Sequence, residues 1–188
     1  MKLKGMVSLC KRDKRVVILD RYRDDGTIEQ FLSDGHGIYP AGDLPPLDVK
    51  TILSVFDIST ELEAKWDVDR AEAPGWLDTS DIGNDTPLRN SRMLVNYMGD
   101  VYLPLASPVQ EVFWIDCAAL APLEPPFDLY ARRMAGTPRQ MIVAKRGMFF
   151  VAALENVSLP DAAKDELIAL THMIRAAQTD EIKEEDHD

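Results

Sequence analysis

Between residues 33 and 40 the chain reads Ser33-Asp34-Gly35-His36-Gly37-Ile38-Tyr39-Pro40, the stretch whose side chains are best suited to chemistry. Two glycines around a histidine let the backbone approach a ligand closely, Asp34 can orient the imidazole, and Tyr39 can offer a hydroxyl. Such a set would serve proton transfer, with His36 as acid or base and Asp34 holding it. The same residue types also build a plain turn or bulge between two strand pieces, the glycines taking positive φ. Adding Asp43 and Asp48 gives a metal-like set around His36, but the spacing matches no ligand module, so neither a metal nor a cofactor is expected.

Anion recognition is a second chemistry. Lys11, Arg12, Lys14, Arg15, Arg21 and Arg23 stand close together in an otherwise acidic chain. Alternation puts Arg21 and Arg23 on one face of a strand, where two guanidiniums suit a phosphate-bearing small molecule. Arg21, Arg23, His36 and Tyr39 are the ligand-binding residues expected on this reading. A third candidate is a protein surface at Trp66 and Trp76, in a long connector whose indoles either pin it to the core or face a partner.

Other signatures of catalysis are missing. The chain has no Gly-x-x-x-x-Gly-Lys, Gly-x-Gly-x-x-Gly, His-Glu-x-x-His or Gly-x-Ser-x-Gly motif. Of the remaining histidines, His187 belongs to an acidic tail and His172 to an apolar-periodic segment, where a structural role is expected. A formal net charge of −11 argues against direct nucleic-acid binding, which draws on Lys and Arg at phosphates. It fits a soluble protein, or one addressed to a basic partner. Cys10 and Cys117 lie in apolar runs without ligand spacing, so no disulfide framework or structural metal is expected. No run of about eighteen apolar residues occurs and the N-terminus lacks signal-peptide character, so no membrane contact and a cytoplasmic location are expected.

The elements that must position these residues read as α+β: antiparallel hairpins with helices on one face. Met6 to Cys10 and Val16 to Tyr22 are rich in β-formers around the charged Lys11 to Arg15, which predicts a first hairpin. Strand pieces follow at Thr27 to Leu32 and Gly37 to Tyr39, then a helix of two to three turns from Leu47 with Asp48 at its acidic start. Ser59 to Ala71 reads as partly helical and the rest up to Arg92 as surface loop. Met93 to Asn96, Val101 to Leu105 and Val109 to Ile115 predict more strands, and Pro125-Pro126 predicts a short helix over Phe127 to Met134. Met141 to Ala152 predicts a hairpin apolar on both faces, central and covered by helices. From Ser158, apolar residues at spacings of three and four predict a final helix.

A hairpin, a proline-bearing link and a helix therefore recur in the reading three times. The first two copies align Leu44 with Leu120, Pro46 with Pro122 and Leu47 with Leu123. The organisation expected is a first unit over 1–58, a connector over 59–91, second and third units over 92–179 packed with the first, and an acidic tail over 180–188.

Ser33-Asp34-Gly35 through Tyr39-Pro40, with Leu44-Pro45-Pro46-Leu47-Asp48 and the segment Ile52 to Ile58, resembles an uncharacterised family of small proteins carried by bacterial prophages and integrative mobile elements. The resemblance covers about the first third of the chain and implies a context, not an activity. Accessory proteins of such elements often act by binding, including inhibition of host defence. The leading expectation is a non-enzymatic interaction protein that binds a protein partner or a small phosphorylated ligand. The alternatives are a small enzyme using His36 with Asp34, and a homo-oligomer that extends its sheet across a two-fold axis.

Overall fold

Met6, Leu9 and Cys10 recur at spacings of three and four from Met6. In the computed structural model, which describes residues 1–109, 111–158 and Met173, they form the buried stripe of helix α1 (Leu3–Asp13). The strand expected over Met6 to Cys10 is thus a helix, and Lys11 to Arg15 is no hairpin tip. Lys11 and Arg12 occupy the last turn, where cations suit the helix dipole, and Lys14 at φ 52° ends it. Gly5 is required here for a close approach: a Cβ would overlap the Ala121 carbonyl, so α1 lies directly on the backbone of the second proline link.

The strands are β1 (Arg15–Tyr22), β2 (Ile28–Ser33), β3 (Gly37–Pro40), β4 (Asp67–Glu72), β5 (Thr86–Asn90), β6 (Val95–Tyr97), β7 (Asp100–Ala106), β8 (Val112–Asp116), β9 (Asp128–Arg133), β10 (Gln140–Arg146) and β11 (Phe149–Glu155). Short helices α2 (Thr51–Val55) and α3 (Thr60–Glu63) and a 3-10 turn (Cys117–Leu120) join them. Among the described residues this is an α+β fold built on one large mixed sheet, in the order β4-β1-β2-β3-β11-β10-β9-β5-β7-β6, with β8 also on β7. Its pairings are antiparallel except β1 with β4. β5 carries the sheet across its middle, pairing β9 through Thr86 to Leu88 and β7 through Arg89 and Asn90.

The main core lies on one face, where Met6 and Leu9 of α1 and Ile52 of α2 meet Val16, Ile18, Leu105, Ile115, Ile142 and Leu154. A smaller cluster on the opposite face joins Val17, Leu19, Phe31, Ile38, Met141, Val143 and Ala153 to Leu77. β1 and β10 send alternate side chains to the two clusters, which explains their unbroken apolar runs. Among the described residues, the cover on that second face is the loop around Trp76 and Leu77.

Two further expectations are corrected. The 59–91 segment is more than a partly helical stretch followed by loop, because it also supplies β4 and β5 to the sheet. Asp128 to Arg133 is a strand, not a helix: Leu129 and Ala131 face the main core while Arg132 buries on the other side, and β10 and β5 take up hydrogen bonds on both edges. The repeated pattern is accordingly unequal. In the first copy β1 to β3 lead through the proline link to α2, which is shorter than expected, with Asp48 Oδ1 accepting from the Lys50 and Thr51 amides, each at 2.8 Å. In the second, the helical turn precedes the link and β9 follows it. The matched residues Leu47 and Leu123 are both buried, at 2% exposure. The helix expected after Ser158 and the tail Asp180 to Asp188, with His172 and His187, lie outside the described residues. Among the described residues no helix is long and apolar enough to cross a membrane.

Candidate functional site

Where β2 gives way to β3, Gly35 adopts φ +105°, a conformation that favours glycine. Ser33 Oγ accepts from the Gly35 amide at 3.0 Å, and Asp34 Oδ1 accepts from the amides of His36 at 3.1 Å and Gly37 at 2.8 Å. Asp34 therefore organises backbone rather than the imidazole. Gly37 serves a close approach, since a Cβ there would run into the Tyr39 ring.

The imidazole finds a different carboxylate. Leu154 pairs with Gly37, and the next residue along, Glu155, gives its amide to the His36 carbonyl at 2.9 Å. That register brings His36 Nδ1 within 2.6 Å of Glu155 Oε2, to which it donates. This hydrogen bond raises the histidine pKa above its ordinary value, against a smaller opposing effect of burial. Tyr39 is fully buried and gives its hydroxyl to the Ala119 carbonyl at 2.8 Å. Burial pushes its pKa far up, and the hydroxyl is committed to the core.

His36 and Asp34 line a cleft of about 570 Å³ between the β3–β11 seam, the end of α1 and the β7–β8 hairpin. Its other titratable groups are Arg12, Asp13, Asp100, Tyr102, Asp116 and Glu155. Arg12 is hydrogen-bonded to Asp116 and lies 3.5 Å from Asp13 and 4.0 Å from Asp100. Burial alone would lower the Arg12 pKa, but the Asp116 bond and the surrounding carboxylates raise it, so the guanidinium stays charged. Five carboxylates thus surround one arginine and one histidine. Asp34 is the most buried of them, 2% exposed, and its Oδ2 has no hydrogen-bond partner among the described residues. Among the described residues no group of three or more His, Cys, Asp or Glu is disposed to hold a metal ion.

The basic residues are arranged differently from the sequence expectation. Glu29 stands opposite Arg21 across β1 and β2 and accepts from Arg21 Nε and Arg23 Nη2, each at 3.0 Å. Arg21 also donates to the Leu77 carbonyl at 3.2 Å and Thr79 Oγ1 at 2.5 Å, and lies over the Phe31 ring at 5.2 Å. It fastens the covering loop to the sheet. Of the basic residues in Lys11 to Arg15, Arg12 pairs with Asp116 in the cleft and Arg15 with Asp67 at 3.3 Å.

Trp66 packs edge-on to Phe56, centroids 6.2 Å apart, and rests on the main core. Trp76 is half-buried and lines a second cleft of about 770 Å³, together with Met134, Arg139 and Met141. That cleft shares His36, Glu155 and Ser158 with the first, so the structure brings Trp76 near the histidine pair but leaves Arg21, Arg23 and Trp66 elsewhere. Sequence reasoning did not single out Glu155, Asp100 or Asp116, and read Arg12 as a hairpin-tip residue. The available signal was only that Asp100 and Asp116 bound apolar strands.

Compared with known proteins, the chain matches no family model, no curated protein and no solved structure.

Proposed function

We propose that this is a non-enzymatic interaction protein, working in the cytoplasm, that receives a group of its partner in the cleft around Asp34 and His36. The observation that carries the reading is the pairing of the cleft's own groups. His36 is held by Glu155 and Arg12 by Asp116, and among the described residues no hydroxyl or thiol is hydrogen-bonded to the imidazole. Preformed polar groups with one unsatisfied acceptor suit recognition. The strong negative charge adds steering toward a basic partner. The resemblance of the first third to proteins of mobile elements supports a role as a binder of host proteins, including inhibition of defence.

Native mass spectrometry of the tagged full chain from its host's lysate tests this, comparing wild type with an Asp100→Asn, Glu155→Gln variant. A bound mass present on the wild type and lost from the variant supports the reading. The same mass on both puts binding elsewhere.

The enzyme alternative gains one observation, the 2.6 Å pair of His36 with Glu155 on a cleft wall. Glu155 then takes the orienting role assigned to Asp34. Turnover abolished by His36→Ala would establish it and end the binding proposal.

A further inference from the structure

We infer that the cleft takes an organic cation, an alkylammonium or guanidinium group, with Asp34 Oδ2 as its acceptor; the inference rests on the binding role proposed for this cleft. The first support is charge. With Arg12 matched to Asp116 and His36 to Glu155, the carboxylates of Asp13, Asp34 and Asp100 leave the lining negative. A phosphate would be repelled there and a cation drawn in.

The second support is independent of the first. Buried carboxylate oxygens ordinarily have donors, yet Oδ2 of Asp34 has none among the described residues. Its sister oxygen is fixed by the amides of His36 and Gly37, so Oδ2 is held in one direction before a ligand arrives. An N–H of a cation supplies the missing donor as a charge-assisted bond. A bare metal ion fits less well, since it needs several oxygens gathered around it, and among the described residues none are so gathered.

Isothermal titration calorimetry on the full chain at low salt tests this with two probes, agmatine and the blocked peptide acetyl-Gly-Arg-Gly-amide. One-to-one binding is expected, weakened about tenfold or more by Asp34→Asn. Asp100→Asn is expected to weaken it by a factor of about two to five, more at low salt than at high. Asp100 is half exposed, so this second variant decides the matter even where Asp34→Asn does not fold. Binding of the peptide alone assigns the cation to a protein partner, and equal binding of agmatine assigns it to a small molecule; both support the inference. No heat with either probe overturns it. If inorganic phosphate binds instead, and Arg12→Gln abolishes that, the cation is wrong and the cleft remains a binding site. If neither probe nor phosphate binds and the mass captured from lysate ignores the cleft variants, both proposals fall.

Discussion

Arg132 grips Asp85 with two nitrogens, Nε to Oδ1 at 2.8 Å and Nη2 to Oδ2 at 2.5 Å, and the two side chains are only 4% and 3% exposed. Lys145 Nζ reaches the same carboxylate at 2.5 Å and Asp81 at 2.7 Å. Together with Arg21, these cations from β1, β9 and β10 hold the 77–85 loop over the smaller core cluster.

Asp85→Ala leaves the buried Arg132 without its carboxylate and Lys145 with only the half-exposed Asp81, so it is expected to cost about 3–5 kcal/mol, read from the urea midpoint. Burial alone would raise the Asp85 pKa, but the hydrogen bonds from Arg132 and Lys145 outweigh it and hold the carboxyl below its usual value. A lowered folded pKa contributes stability present above the unfolded value and lost as pH falls through the folded one. The wild type therefore loses this increment in acid, and the variant shows a flatter stability profile there. An unchanged urea midpoint for Asp85→Ala would show the loop to be held by apolar contacts alone.

For His36 the sign is opposite. Its pKa is raised by Glu155, so the pair's contribution is complete below the ordinary histidine value and fades as pH climbs through the folded one. NMR titration of the His36 ring should give a pKa above the usual range, returning toward it in Glu155→Gln. A value unaffected by that substitution would mean the 2.6 Å contact does not persist in solution.

Tyr39→Phe removes the hydroxyl that meets the Ala119 carbonyl and should cost about 1 kcal/mol of stability. Because this oxygen points into the core, ligand affinity at the cleft should not change. Loss of affinity at unchanged stability would return Tyr39 to the binding set.

Arg21 and Arg23 separate by stability. Arg21→Ala abandons Glu29, the Leu77 carbonyl, Thr79 and the Phe31 face, so thermal unfolding should come several degrees lower. Arg23→Ala loses one exposed partner of Glu29 and should stay within about 0.5 kcal/mol of wild type. Equal effects would contradict the loop-fastening role of Arg21.

The strands Val16 to Tyr22, Val112 to Ile115 and Met141 to Ala144 were legible because short apolar runs rich in β-formers, bounded by turn residues or charges, fit little else. Met6 to Cys10 was not, since so short an apolar run satisfies either period and the choice came from α1 seating against Ala121 and Pro122. Asp128 to Arg133 contains good helix formers, overruled by strand partners remote in sequence. At the site, the glycines marked Asp34 and His36 as unusual. Glu155 and Asp116 were invisible because their roles arise from the β3–β11 register and from α1 meeting the β7–β8 hairpin, neither of which leaves a local pattern.

β4 ends the strand order with the sequence Asp67-Val68-Asp69-Arg70-Ala71-Glu72, nearly all of it exposed. A second copy laid antiparallel and in register along that strand would set Asp67 against Glu72 at both ends, like charge facing like, while at the centre Asp69 would meet an Arg70 already held by Asp20 at 2.6 Å. Backbone groups that would otherwise template another chain are thereby guarded. Among the described residues, the strand order thus closes on an edge whose charged ends discourage the addition of an identical strand.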